Sequence, residues 1–200
     1  MDPRPPLSSL AGLAEEVRTA PPRLGATRLV CIDGPAGSGK TTFAARLAAL
    51  LGPDTAVLHM DDVYAGWTLT GAVARLAAGV LRPIAAGRPG AYHRYEWAAG
   101  RFSPDPTPVP PAPILVVEGC GSSPRALDGW TTARIWIEAP PAVRLARGLE
   151  RDGGALEQQW RAWQRIEAAE FAREDTRARA DVRVDGTVQG LTGLFAPLSE

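Results

Sequence analysis

Short apolar runs and helical stripes alternate along the chain. Leu29-Val-Cys-Ile32 is an uninterrupted apolar run closing on Asp33, the pattern of a strand buried on both faces. Val57–Met60, Ile114–Val117, Ala133–Ile137 and Val182–Val184 repeat the pattern, with Ile114–Val117 the clearest of them. Between these runs the period changes. Thr41–Leu51 places Phe43, Leu47, Leu50 and Leu51 on one helical face and stops at Gly52-Pro53. Residues 71–86 carry Val73, Leu76, Ala77, Val80 and Leu81 before a break at Gly87–Gly90. Pro141–Arg151 reads as a helix ending at Asp152-Gly-Gly, and a longer helix covers about 155–179. At the front, residues 1–26 form an amphipathic helix (Leu7, Leu10, Leu13, Ala14, Val17) and a Pro-Pro connector; a short helix is expected near 188–195. The Pro-rich stretch Ser103–Pro113 reads as an extended surface connection, and the segments around Tyr64 and Tyr92 read as loops. Strands alternating with helices predict an α/β fold, a five-stranded parallel sheet covered on both faces. At 200 residues the chain is expected to form one domain.

Composition narrows the function classes. Basic and acidic side chains balance at 22 each, so no global field favours nucleic acid or an anionic membrane, and neither is expected as a partner. No apolar run reaches the roughly 18 residues of a spanning helix. The start, Met1-Asp-Pro-Arg-Pro-Pro, lacks the basic and apolar regions of a secretory signal, so a cytoplasmic location is expected. Cys31 and Cys120 read as small buried hydrophobes in a reducing compartment. The chain has twenty-one arginines and one lysine, Lys40. That lysine stands where a compact ammonium fits between phosphate oxygens better than a planar fork does.

Gly34-Pro35-Ala36-Gly37-Ser38-Gly39-Lys40-Thr41 fits G-x-x-x-x-G-K-[ST] and lies between an expected strand and an expected helix. Glycines allow successive amides to point inward as an anion nest, and the helix N-terminus adds its dipole. Lys40 would reach the β- and γ-phosphates and Thr41 would hold Mg²⁺, with Thr42 beside it at the helix start. ATP and Mg²⁺ are therefore the expected cofactors. No G-x-G-x-x-G occurs, and a guanine-reading Asn-Lys-x-Asp would need a second lysine.

Other candidates cluster at strand ends, where ligands of parallel sheets lie. Glu118 closes its strand and would hold Mg²⁺ directly or through water. Asp61-Asp62 closes another; phosphoryl transfer to a hydroxyl asks for a carboxylate near the attacking oxygen, and spacing alone does not choose between the two. Arg144, Arg147 and Arg151 share one helical face ahead of a Gly-Gly hinge, as a phosphate-covering lid over about 147–160 would need. Tyr64, Trp67, Tyr92, His93, Arg94, Tyr95 and Trp97 concentrate aromatic and basic groups that either stack on a planar ligand or plug the core. Trp160, Trp163 and Phe171 read as core.

Taken in order, Asp33–Thr42, His59-Met-Asp-Asp-Val-Tyr64, Arg94-Tyr-Glu-Trp97, Val116-Val-Glu-Gly119, Arg144-x-x-Arg147-x-x-x-Arg151-Asp152 and Ala180-Asp181 resemble the uridine kinase-like branch of P-loop kinases over about residues 28–186. The resemblance implies a P-loop kinase fold with a small helical lid and transfer of the γ-phosphoryl group of ATP to a small-molecule hydroxyl. It implies Asp61 as general base, Tyr64, Tyr95 and Trp97 around the acceptor, and Arg147 and Arg151 on phosphates. It also implies that Asp185, Gly186 and Thr187 border adenine. A uridine- or cytidine-like nucleoside is the acceptor it points to. Family members carry a ribose-binding acid after Asp-x-x-Tyr, whereas Ala65–Thr70 here has none. A nucleoside monophosphate (with His93-Arg94 as cations), a pantothenate-like compound or a natural-product hydroxyl is the close rival. A nucleotide-binding regulatory module without transfer chemistry is the distant one.

Overall fold

A computed structural model describes residues 9–187; Leu7 and the short helix expected near 188–195 lie outside the described residues. In chain order the elements are α1 (Leu10–Thr19), β1 (Arg28–Asp33), α2 (Lys40–Leu51) and β2 (Thr55–His59). A helical run follows as α3 (Ala72–Leu76), a π-helical turn (Ala77–Leu81) and α4 (Arg82–Ala85). Then come β3 (Gly90–Glu96), β4 (Arg101–Val109), β5 (Ile114–Glu118), β6 (Thr131–Glu138), α5 (Pro141–Asp152), α6 (Glu157–Glu174) and β7 (Val182–Asp185).

Five strands form one parallel sheet in the order β2-β5-β1-β6-β7. Because side chains alternate along a strand, the continuous apolar runs feed two cores at once. Val30, Ile32, Ile114, Val116, Ile135 and Ile137 meet α1 and α2 through Leu10, Leu13, Val17, Phe43 and Leu47. Leu29, Cys31, Leu115 and Val117 face the opposite way, onto Leu76, Val80, Leu81 and Ile84 of the 72–85 run and Trp163 of α6. Full burial of each such side chain contributes roughly 1.5–3 kcal/mol, so both faces are strongly specified. The three-layer α/β fold expected from the pattern is the observed one. Helix α1 starts at Ser9, whose hydroxyl accepts from the Gly12 amide at 3.1 Å.

One expectation is corrected. Ser103–Pro113 is not a bare connection, and Tyr92–Glu96 is not a loop: β3 and β4 pair antiparallel as a two-stranded ribbon outside the main sheet. Pro104, Pro106 and Pro108 occupy every second position of β4. Backbone N–H groups of a strand point alternately to its two sides, so the missing donors all fall on one side and the ladder to β3 survives. The ribbon lies beyond the C-terminal edge of β2 and carries Trp97 towards the cleft described next.

Candidate active site

The loop 34–39 leaves β1 and runs into α2 at the C-terminal edge of the sheet. Gly37 has φ 78° and Gly39 φ 101°, left-handed backbone that glycine adopts without strain and that curls the loop tightly into α2. At Gly37 a Cβ would also meet the backbone of Arg144, 2.5 Å from its carbonyl oxygen, so α5 packs directly on the loop. Lys40 is buried and its Nζ donates to Pro35 O at 2.9 Å. Burial alone lowers the Lys40 pKa; the Cys120 sulfur and the carboxylates of Glu118, Glu167 and Asp33 outweigh that and hold it above its ordinary value. The Ser38 hydroxyl is buried without a hydrogen-bond partner.

Three carboxylates anchor this loop and its surroundings. Asp33, buried, accepts from the amides of Gly34 (2.7 Å), Gly121 (2.9 Å) and Ser123 (2.9 Å), tying the loop after β1 to the one after β5. Burial pushes its pKa up to about 6 against those amides and Lys40. Glu167 of α6, 1% exposed, accepts from the Ala36 amide at 2.8 Å and pairs with Arg144 at 2.7 Å. Arg144 also donates to Ala139 O. Arg144 is thus committed beneath the loop and does not join Arg147 and Arg151 as a phosphate-facing group, correcting the reading of the three as one set. Glu118 accepts from Thr41 Oγ1 at 3.1 Å and lies 2.5 Å from His59 Nδ1, which raises the His59 pKa.

In front of the loop opens a cleft of about 890 Å³. Its floor is Ala36, Gly37, Gly39, Lys40, Thr41 and Thr42; Glu118 and Asp61 stand at the sheet edge, and Arg147 and Arg151 line the α5 side. Arg147 donates to Gly37 O at 3.2 Å and to Gly186 O at 3.0 Å. Asp61 is accessible from the cleft yet crowded by its walls: withdrawal from bulk water raises its pKa, Lys40 and Arg151 oppose the rise, and Glu118 adds to it. Asp62 turns away, accepting from Tyr92 Oη at 2.9 Å and pairing with Arg94 at 3.1 Å. The far wall is aromatic. Trp67 packs edge-on against Trp97, Trp160 and Trp163, with centroids 5.6, 6.1 and 5.9 Å away. Trp160 and Trp163 are buried, as expected of core residues, and they also face the cleft.

Other expected site residues fall elsewhere. Gly34, Pro35 and Ser38 build the loop without lining the cleft. Tyr64 lines it but is 1% exposed, with its hydroxyl spent on Cys120 O at 2.7 Å, so it is mainly a core aromatic. His93 is exposed and bonded to Ser103 O, Arg94 is spent on Asp62, and Tyr95 packs between Trp97 and Phe102; none of the three lines the cleft. Gly186 packs on the Ser38 carbonyl, and the Asp185 carboxylate accepts from the Thr187 amide and hydroxyl; none of the three lines the cleft. The segment expected as a lid, about 147–160, comprises the end of α5, the 3₁₀ turn Gly154–Leu156 and the start of α6, and Arg147 and Arg151 belong to α5.

The residues fit a nucleoside triphosphate and a divalent cation. A glycine-bent loop leading into α2 and a buried lysine at the cleft floor suit phosphate oxygens, and the adjoining Thr41 and Glu118 oxygens suit Mg²⁺. Among the described residues no cluster of three or more His, Cys, Asp and Glu side chains forms a cage, so an ion here would complete its shell from phosphate and water. No described helix is long and apolar enough to cross a membrane.

No protein-family profile matches the chain. Solved structures share its fold. A possible uridine kinase from Bacillus stearothermophilus superposes with a TM-score of 0.64 at 20% identity, covering 87% of this chain and 96% of that one. A protein provisionally named a fructose transport system kinase, from Silicibacter sp. TM1040, gives 0.60 at 24% identity, covering 88% and 98%. The chain therefore shares the fold of these two proteins over nearly their whole length.

Proposed function

We propose that this chain is a phosphotransferase that moves the γ-phosphoryl group of ATP to a hydroxyl of a small molecule. The observation that carries the reading is the placement of Asp61 in the same cleft as Lys40, Thr41, Glu118, Arg147 and Arg151. A protein that only held nucleotide would need no accessible carboxylate aimed into the space beside the phosphates.

The acceptor hydroxyl would lie against Asp61. As its oxygen bonds to the γ-phosphorus, the bond from that phosphorus to the β–γ bridging oxygen breaks, ADP leaves, and the hydroxyl proton passes to Asp61. Lys40, Arg147 and Arg151 offset the charge spread over the migrating group. Thr41 and Glu118 would hold Mg²⁺, which supplies further neutralisation of phosphate charge when bound. A nucleoside is the acceptor implied by the sequence resemblance. The two neighbours carry names with different acceptors, a nucleoside and a sugar, so shared fold does not choose. A monophosphate acceptor is disfavoured, because Arg94 and His93 are bonded elsewhere.

The test is ADP release from ATP·Mg²⁺ across nucleosides, sugars, pantothenate and aromatic alcohols, with Lys40→Ala and Asp61→Asn alongside. Acceptor-dependent release abolished in both variants is the expected result. Tight ATP binding with no stimulation by any acceptor would favour the regulatory module instead.

A further inference from the structure

The chemistry of the cleft's far wall says what kind of body carries the accepting hydroxyl. Four of the chain's six tryptophans meet there, joined through Trp67. Much of the wall's polar capacity is already used. Trp97 Nε1 donates to Asp61 O at 3.1 Å, Trp160 Nε1 donates to Asp152 Oδ2 at 3.1 Å, and the Tyr64 hydroxyl is taken by Cys120 O. The carboxylates are likewise committed: Asp152 is bonded to Arg151 at 2.7 Å, and Asp62 is turned to Tyr92 and Arg94. A vicinal diol presents two O–H donors and needs a fixed acceptor to be read. Among the described residues of this wall, Asp61 is the one carboxylate left open, and the proton transfer occupies it.

What the wall does offer is ring surface. Trp97 is 43% exposed, the largest accessible aromatic of the group, and its hydrogen bond to the Asp61 backbone fixes that surface beside the base. A flat body stacked on it would hold a hydroxyl on a short arm within reach of Asp61.

We propose that the acceptor half of the cleft takes an aromatic or heteroaromatic ring bearing a hydroxymethyl-type arm, read by stacking on the tryptophan wall and not through a sugar diol. This rests on the phosphotransferase reading for its chemistry, but the recognition it describes is measurable without turnover.

Two assays on the full chain separate the proposals. In the first, uridine, 2′,3′-dideoxyuridine, benzyl alcohol, 3-pyridinemethanol and fructose are titrated against the tryptophan fluorescence in the presence of a non-hydrolysable ATP analogue and Mg²⁺. In the second, the same compounds are acceptors for ADP release. The aromatic alcohols should quench and turn over, uridine and its dideoxy analogue should agree within about threefold, and fructose should do neither. Base stacking on an aromatic side chain is worth roughly tenfold or more on alanine substitution, so Trp97→Ala should raise KM by at least about that factor, and Trp97→Phe, which keeps a ring there, should recover most of the KM. Preference for uridine over the dideoxy compound beyond tenfold, or saturable use of fructose, overturns the proposal, as does absence of quenching by every aromatic probe. Quenching without any turnover leaves the ring recognition standing and sinks the phosphotransferase reading.

Discussion

The buried pair of Glu167 and Arg144 gives the sharpest quantitative prediction. Glu167 stands on α6, between the tryptophan wall and the loop, and it holds both Arg144 at 2.7 Å and the Ala36 amide at 2.8 Å. The Glu167 side chain is 1% exposed and that of Arg144 10%, so water cannot replace either partner. Removing one member of such a pair costs about 3–5 kcal/mol, because the other charge is left buried and alone. In a domain of this size each kcal/mol moves the melting temperature by roughly 2–4 °C, so Glu167→Ala should melt roughly 6–20 °C lower. The Arg144→Ala, Glu167→Ala double variant should lose about 1–3 kcal/mol less than the sum of the singles. Freed of the Glu167 contact, the loop should also bind nucleotide more weakly, and ATP should raise the melting temperature of the variant less than that of the parent. Calorimetry with and without ATP reads all three. A Glu167→Ala melting point within about 2 °C of the parent, or strictly additive singles, would mean that the pair does not hold the loop.

Three further outcomes follow from the same geometry. Lys40→Ala should lower kcat by at least about a hundredfold, whereas Asp62→Asn, which only loosens Tyr92 and Arg94 on the ribbon, should cost far less in steady-state assays. In its proposed role as base Asp61 must be ionised, and its pKa lies above the ordinary 3.8, so kcat/KM should fall as pH drops through that raised value. Arg151 is one of the cations opposing the rise, so Arg151→Gln should move the acid limb to still higher pH. In α5 a Cβ on Gly148 would run into the Trp160 indole; Gly148→Ala should displace that ring, visible as a change in tryptophan emission together with a higher acceptor KM.

The sheet and the phosphate loop were legible because their signals are local. Leu29–Asp33 is apolar without a break, the glycines follow at once, and Thr41–Leu51 switches to helical period, so strand, loop and helix could be placed from about twenty-five residues. The ribbon was not legible as read. Three prolines in Arg101–Val109 argue against a strand unless their spacing of two is noticed, which is the signal that would have found it. Glu167 was hidden because its partners Arg144 and Ala36 are 23 and 131 residues away, and nothing in a helix full of charged side chains marks the one that turns inward. Arg144 misled for a related reason. Spacing puts it on the face of Arg147 and Arg151, but it lies one turn nearer the start of α5, where the helix rests on Gly37. His93 and Arg94 pointed to the acceptor by proximity in sequence to Trp97; their place on an exposed ribbon turns them to Ser103 and Asp62 instead.

Phosphoryl transfer itself can be watched by following the γ-phosphorus of ATP by ³¹P NMR, with Mg²⁺ and an aromatic alcohol acceptor. Transfer should appear as loss of the γ resonance and growth of a phosphate monoester resonance matched by ADP, with no such growth for Asp61→Asn or Lys40→Ala. Appearance of inorganic phosphate alone, at a rate indifferent to acceptor and to Asp61, would contradict it.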